Sequence, residues 1–215
     1  MYLCTLKKGK MSENSILTTH RQQLRERILK TAMQAFTAQG IRAVKMDDIA
    51  RQLGISKRTL YELYENKEMV LYEGVRTFHS NREQRMVELV QRGKSVIDIV
   101  LVAYRQRLEE LRGTSPLFYD DLKKYPRVLK MLEENKKRNY QRFVDFLHRG
   151  VEEGYFRGDF DYDIVPLMFD AIGRYIMLRE LYRQFDLEQV FKSLVFTSLR
   201  GICTAMGAKA LDEGL

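Results

Sequence analysis

Apolar residues recur three and four positions apart along nearly the whole chain, the spacing of one face of an α-helix. No convincing run alternates apolar with polar residues as a half-buried strand would. The first stripe is Leu24, Ile28, Ala32, Ala35 and Phe36. Thr19 followed by Gln22 has the form of a capping box, so a helix is expected to open there and to close at Gly40. A short stripe of Ile49, Ala50 and Leu53 comes next, with Asp47 and Asp48 in the first turn, where carboxylates suit the positive end of the helix dipole. Gly54 ends that helix, because glycine enters the left-handed conformation without a Cβ penalty. Ser56 is placed to cap a second short helix from Lys57 to about Tyr64, with Leu60 and Tyr64 inward and Lys57, Arg58, Thr59 and Tyr61 outward.

Longer helices follow. Asn66 caps a helix over 67–92 whose stripe is Val70, Leu71, Val75, Phe78, Met86 and Leu89. Gly93 interrupts, and Ile97, Ile99, Val100 and Tyr104 mark a helix over 95–111. Gly113 and Pro116 precede a short aromatic helix, LFYDDL. Pro126 opens the next, which runs to about Tyr155 with Tyr140, Phe143, Val144, Leu147 and Val151 at helical spacing. A loop with the acidic run DFDYD, in which Asp161 or Asp163 is an N-cap ahead of Pro166, leads to two last helices over 163–184 and 187–206. The sum is an all-α fold of about nine helices, with no internal repeat.

Charge divides the chain. Residues 1–67 hold 13 Lys and Arg against 6 Asp and Glu, while the full 215 residues carry +8, so nearly all of the basic surplus lies in the first third. A basic module joined to a nearly neutral body points to a polyanion as partner of the module. Cys4 and Cys203 form no disulfide framework and no zinc spacing, and Cys203 reads as a small buried apolar residue. No apolar run approaches the ~20 residues that span a bilayer, and the N-terminus lacks the apolar core of a signal peptide. The expectation is a cytoplasmic protein with no membrane partner. Residues 1–17 read as a disordered tail that touches DNA without sequence preference, with Met11 as an alternative start.

Residues 46–67, MDDIARQLGISKRTLYELYENK, therefore combine two short helices, a glycine turn and an outward cationic second helix, the form of a helix-turn-helix. With the first helix ending AFTAQGI, this segment resembles the TetR-like (tetracycline-repressor-type) bacterial transcription regulators. The resemblance covers about residues 20–72 and rests on Ile49-Ala50, Gly54, Ser56-Lys57, Leu60-Tyr61, Tyr64 and Asn66-Lys67-Glu68. The body matches only as an all-helical segment of suitable length. Two positions depart from the family pattern. Lys45 stands where threonine is common; it cannot cap, but pairs with phosphate as a point charge. Leu63 stands where histidine or another polar residue is common, which puts one phosphate contact in question.

The resemblance implies three parts: the tail over 1–17, a helix-turn-helix DNA-binding domain over 18–66, and an effector-binding and dimerisation domain over 67–215. The second helix of the motif should enter the major groove. Arg58 can donate two hydrogen bonds to guanine O6 and N7; Lys57 does the same or takes phosphate; Thr59 meets a base edge or phosphate. By resemblance, Tyr61 and Lys67 contact phosphates, the latter at a helix N-terminus that itself favours anions. The family binds near-palindromic duplex DNA as a homodimer, commonly as a repressor, and the last two helices are the natural dimer surface, rich in Leu187, Val190, Phe191, Leu194, Val195, Leu199 and Ile202. A small apolar effector is implied in the body, with Tyr104, Phe118, Tyr119, Tyr140, Phe143, Met168, Phe169 and Tyr175 as candidate walls. The rival reading is a helical protein-interaction module with a structural helix-turn-helix.

Catalytic and metal chemistry find little support. Asp159, Asp161 and Asp163 alternate as in a calcium loop, but Ile164 stands where glycine is needed and Asp170 where glutamate is. His20, His79 and His148 are scattered, and no phosphate-binding glycine loop or nucleophile elbow occurs. A regulator without cofactor, rather than an enzyme, is expected.

Overall fold

The computed structural model describes residues 13–214, with side chains from residue 20 onward. Among these residues the chain forms α1 (Glu13–Gln39), α2 (Met46–Leu53), α3 (Lys57–Leu63), α4 (Lys67–Gln91), α5 (Val96–Arg112), α6 (Pro116–Leu122), α7 (Pro126–Glu152), α8 (Val165–Leu178), α9 (Leu181–Gln184), α10 (Leu187–Val190), a π-helical run (Phe191–Phe196), α11 (Thr197–Gly201) and α12 (Ala205–Glu213). The fold is all-α; one isolated antiparallel bridge joins Phe156 to Cys203.

Local capping chemistry sets most of these boundaries. Gly54 closes α2 at φ 66°, and nothing crowds the space a Cβ would take, so its backbone angle rather than its size calls for glycine. The Ser56 Oγ accepts from the Thr59 N–H at 3.0 Å and opens α3. The Asn66 carboxamide accepts from the Met69 N–H at 2.9 Å and opens α4. Such caps are worth about 1 kcal/mol each.

Four expectations change. Helix α1 begins at Glu13, so Thr19 is an interior position and the Thr19–Gln22 pair does not start the helix. Residues 13–17, expected in the tail, are helical, while the rest of the tail, with Cys4 and Met11, lies outside the described residues. Helix α8 has Ile164 at its N-cap with no side-chain bond; Asp161 instead accepts from the Asp163 N–H at 2.9 Å and shapes the preceding turn. The expected single helix over 187–206 contains a π-helical run and breaks after Gly201, where the Thr204 hydroxyl starts α12 by accepting from Gly207 N–H at 3.1 Å. These divisions, with the one-turn α9, explain why there are more helical segments than the nine the periodicity predicted. Cys203 lies in that break and is buried, which pushes its thiol up to about 11.

Two apolar clusters form the interior. The first gathers Ile28, Phe36, Ile41, Ile49, Leu60, Tyr64, Val70 and Leu71, and extends to Phe118 and Leu122 of α6 and Val128 and Met131 of α7. The second gathers Val96, Ile97, Leu147, Phe156, Tyr162, Ile202 and Leu211. Fully burying a Leu, Ile or Phe side chain contributes about 1.5–3 kcal/mol. The core of the first 66 residues is therefore completed by α4, α6 and α7, and the packing does not divide at residue 66.

Candidate nucleic-acid interface

Leu60 is fully buried and Tyr64 is 2% exposed, so α3 is seated by its inner face, with the Arg25 guanidinium 5.0 Å from the Tyr64 ring centre. That seating turns Lys57, Arg58 and Tyr61 outward. The Lys57 ammonium lies 3.0 Å from Asp47 of α2 and 6.0 Å from the Tyr61 ring centre. The Arg58 Nε donates to Glu62 at 2.8 Å, with the Arg58 side chain 89% exposed. Each carboxylate raises the pKa of its cation above the ordinary value. Exposed pairs of this kind are screened by solvent and contribute little, so a phosphate or a base edge displaces them readily. Lys45 is exposed, and its backbone N–H donates to Asp48 at 3.0 Å, so the reverse half of a capping box survives without a capping side chain.

Two side chains sit otherwise than expected. Thr59 is half-buried and its hydroxyl lies 2.8 Å from the Ser56 hydroxyl, so it supports the helix start instead of standing free for a base edge. Lys67 turns inward. Its ammonium donates to the carbonyls of Ile41 at 2.8 Å, Val44 at 2.9 Å and Arg42 at 3.4 Å, which engages all three of its hydrogens. Burial pushes its pKa below the ordinary lysine value, with Asp121 acting in the opposite sense. Lys67 therefore holds the loop between α1 and α2 rather than presenting its charge to a phosphate. Leu63 is half-buried against the first core, which accounts for an apolar residue there.

The same loop is gripped from the body. Asp121 of α6, 8% exposed, accepts from the Arg42 N–H at 2.7 Å. Gly40 has φ 88°, and a Cβ there would come within 2.9 Å of Leu117, so the loop and α6 meet backbone to side chain. The Ser115 N–H donates to the Thr37 carbonyl at 2.7 Å. On its other side α6 holds the α8–α9 junction. Asp120 accepts from the Tyr182 hydroxyl at 2.8 Å and the Arg183 Nε at 3.0 Å, and Lys123 donates to Glu180 at 2.5 Å. Neighbouring carboxylates on one short helix thus link the loop between α1 and α2 to the α8–α9 junction. Sequence reading passed over both; the signal available was the pair of acids inside an otherwise aromatic helix.

The eight residues expected to line an effector pocket do not converge. Tyr104 stacks on Phe191 and Phe196 at 5.6 and 5.0 Å in the interior. Phe118 belongs to the first core and stacks on Tyr119, which also stacks on Tyr182. Phe143 packs on Phe169 at 6.0 Å; Tyr140 donates to the Asp163 carbonyl; Met168 packs against the second core; Tyr175 is 53% exposed on α8. These aromatics satisfy one another as core and surface. None of the eight lines either of two clefts found, one between α4 and α5 and one between α4 and α7. The final helical run differs too: Val190 and Ile202 are buried and Phe191, Leu194, Val195 and Leu199 are half-buried within the subunit. Large exposed apolar side chains fall on the first of the two helices expected to pair, over 163–184, at Ile164, Leu167, Tyr175 and Leu178. Among the described residues no group of three or more His, Cys, Asp or Glu could hold a metal, and no helix is long and apolar enough to cross a membrane.

A capped helix-turn-helix presenting two cations and a phenol, on an all-helical body, defines a DNA-binding transcriptional regulator. Comparison with known proteins agrees. Residues 28–73 match the model of the bacterial regulatory proteins of the tetR family. The HTH-type transcriptional repressor KstR2 of Mycobacterium tuberculosis is 29% identical over 147 residues, spanning 66% of this chain and 73% of that protein. The crystal structure of ketosteroid transcriptional regulator KstR2 from the same organism superposes with a TM-score of 0.54 at 25% identity, covering 84% of this chain and 95% of that one. A transcriptional regulator from Saccharomonospora viridis, solved with choline, superposes with a TM-score of 0.65 at 20% identity over 85% of this chain and 99% of its own. Residues 28–73 therefore form a DNA-binding domain of the tetR type of bacterial regulatory proteins.

Proposed function

We propose that the protein is a repressor that binds a palindromic operator as a homodimer and leaves it when a small molecule occupies the body. The observation that carries this reading is α3, anchored by Leu60 and Tyr64 while Lys57, Arg58 and Tyr61 stand outward. Arg58 is the base reader, Lys57 reads a base or takes a phosphate, and Lys45 and Tyr61 take phosphates. Thr59 and Lys67, expected to touch DNA, hold the shape of the head instead. Relatives named as repressors support the direction of control, and the choline complex supports a body that accepts small molecules.

One such head buries too little surface for tight specific binding, whereas two on one face of DNA reach half-sites roughly 34–36 Å apart. The α8 face supports the pairing: Leu178 is 80% exposed, and Leu167, Tyr175 and Leu178 follow the helix at spacings that place them together. Titrating duplex DNA against the full chain at rising salt tests the reading. Affinity that falls linearly on a log–log plot, with a preferred site recovered from random duplexes, supports it. Weak, salt-insensitive association would favour a protein-interaction module. Sedimentation of Leu178→Asp should give monomers with the fold intact; an unchanged dimer would move the interface elsewhere.

A further inference from the structure

Helices α4 and α7 face one another along two stripes that are polar where a packed seam would be apolar. On α4 the stripe is Arg76, His79, Ser80 and Glu83; on α7 it is Asn135, Arg138, Asn139 and Arg142. Each set follows the spacing i, i+3, i+4, i+7, which ordinarily buries a helix against its neighbour. Nearer the head the two helices share the first core, with Val70 and Leu71 from α4 and Val128 and Met131 from α7. Between the polar stripes lies instead a cleft of about 380 Å³ that opens to solvent, room for a small molecule. Three guanidiniums line it against one carboxylate. Arg142 is paired across the cleft with Glu83 and also donates to Asn139 at 3.4 Å. Arg76 is held by Glu73 of its own helix at 2.5 Å. The partner of Arg138 is the neutral Asn135 carboxamide oxygen, which leaves that charge unmatched within the cleft. The Glu83–Arg142 pair is exposed and screened by solvent, so a better-placed anion can displace Glu83.

We infer that this cleft is a binding site for a small organic anion with two negative charges close together, a phosphate ester or a dicarboxylate. Arg138 offers its planar fork to one pair of oxygens, Arg142 leaves Glu83 for another, and Arg76 adds positive charge from the α4 side. His79, Ser80 and Asn139 supply hydrogen bonds to the rest of the molecule. Resting on the regulator reading, that anion is the effector. It exchanges the Glu83–Arg142 bond between α4 and α7 for bonds of its own, and α4 begins at Lys67, which braces the reading head. The small apolar effector expected from the aromatic residues does not suit a cleft of this chemistry. Neither does a cation such as the choline bound by the relative.

Calorimetry on the full chain without DNA, at constant ionic strength, tests the site with glycerol phosphate, succinate, acetate and choline as probes. Glycerol phosphate or succinate should bind at least about tenfold tighter than acetate, and choline should not bind. Whichever of the two binds tighter identifies the head that the cleft prefers. Arg138→Gln should weaken that probe at least about tenfold and leave the melting temperature unchanged, since no carboxylate of the cleft depends on it. Lys137→Gln removes the same charge from an exposed position of α7 outside the cleft, and should change binding by less than about twofold. Glu83→Gln should tighten binding, because Arg142 is released to the ligand. With DNA present, the probe should lower operator affinity of the parent at least about fivefold and leave Arg138→Gln unaffected. The inference is overturned if neither divalent anion binds, if acetate binds as tightly, if Lys137→Gln weakens binding as much as Arg138→Gln, if Glu83→Gln does not tighten it, or if operator affinity ignores the probe. A chain that binds the probe in this pattern but binds no duplex DNA would keep the site and remove the regulator reading.

Discussion

Lys57 and Lys67 stand ten residues apart on neighbouring helices of the same head, and their environments are opposite. Lys57 is an exposed ammonium held by one exposed carboxylate, a bond that any phosphate can replace. Lys67 is half-buried, with three backbone carbonyls around its nitrogen and its pKa lowered by burial. The difference teaches that a positive charge in a DNA-binding head does one of two jobs. It is either a contact, spendable because the fold does not need it, or a brace whose removal leaves carbonyls without a donor.

Substitutions sharpen this contrast. Lys67→Met should show the largest effect, a loss of about 3–4 kcal/mol in stability measured by chemical denaturation, because several carbonyls lose a charged donor at once. If stability held and only DNA affinity fell, Lys67 would be a DNA contact and the distinction would disappear. Asp121→Ala, which removes the opposite grip on the same loop, should cost about 2–3 kcal/mol, and Asp121→Asn less, since a carboxamide oxygen still accepts from the Arg42 N–H. Arg58→Ala should leave the melting temperature unchanged and weaken operator binding by about 1–2 kcal/mol, with relaxed choice at one base pair. A uniform loss across operator variants would make Arg58 a phosphate contact. The smallest effect belongs to Tyr61→Phe, a weakening of about 1 kcal/mol shared by all sequences, read by fluorescence anisotropy.

The parts of this molecule that were legible in its sequence are those decided over a few residues. Gly54, Ser56 and Asn66 act within one turn, so the helix-turn-helix and its register could be read directly. The all-helical class followed from periodicity for the same reason. What was not legible depends on distant segments. The carbonyls that claim Lys67 lie 23 to 26 residues away, and the acid that grips Arg42 lies 79 residues away. An apolar face reports that it will be covered, not by what: the stripe from Leu187 to Ile202 is covered largely within the subunit, while the outer face of α8, also apolar, is left exposed at Leu167, Tyr175 and Leu178. Aromatics at helical spacing carried the same ambiguity, and Tyr104, Phe118 and Phe143 proved to stack on other rings.

The first core borrows Phe118, Leu122, Val128 and Met131 from beyond α5, and the loop after α1 borrows Asp121. Anyone building hybrid regulators by exchanging reading heads would meet this as a seam in the wrong place. A cut at residue 66 carries the cationic helix away but strands the hydrophobic floor on which it rests. A workable graft would take two stretches of chain, the head extended through Val75 of α4 together with 115–131, or would rebuild that floor in the recipient.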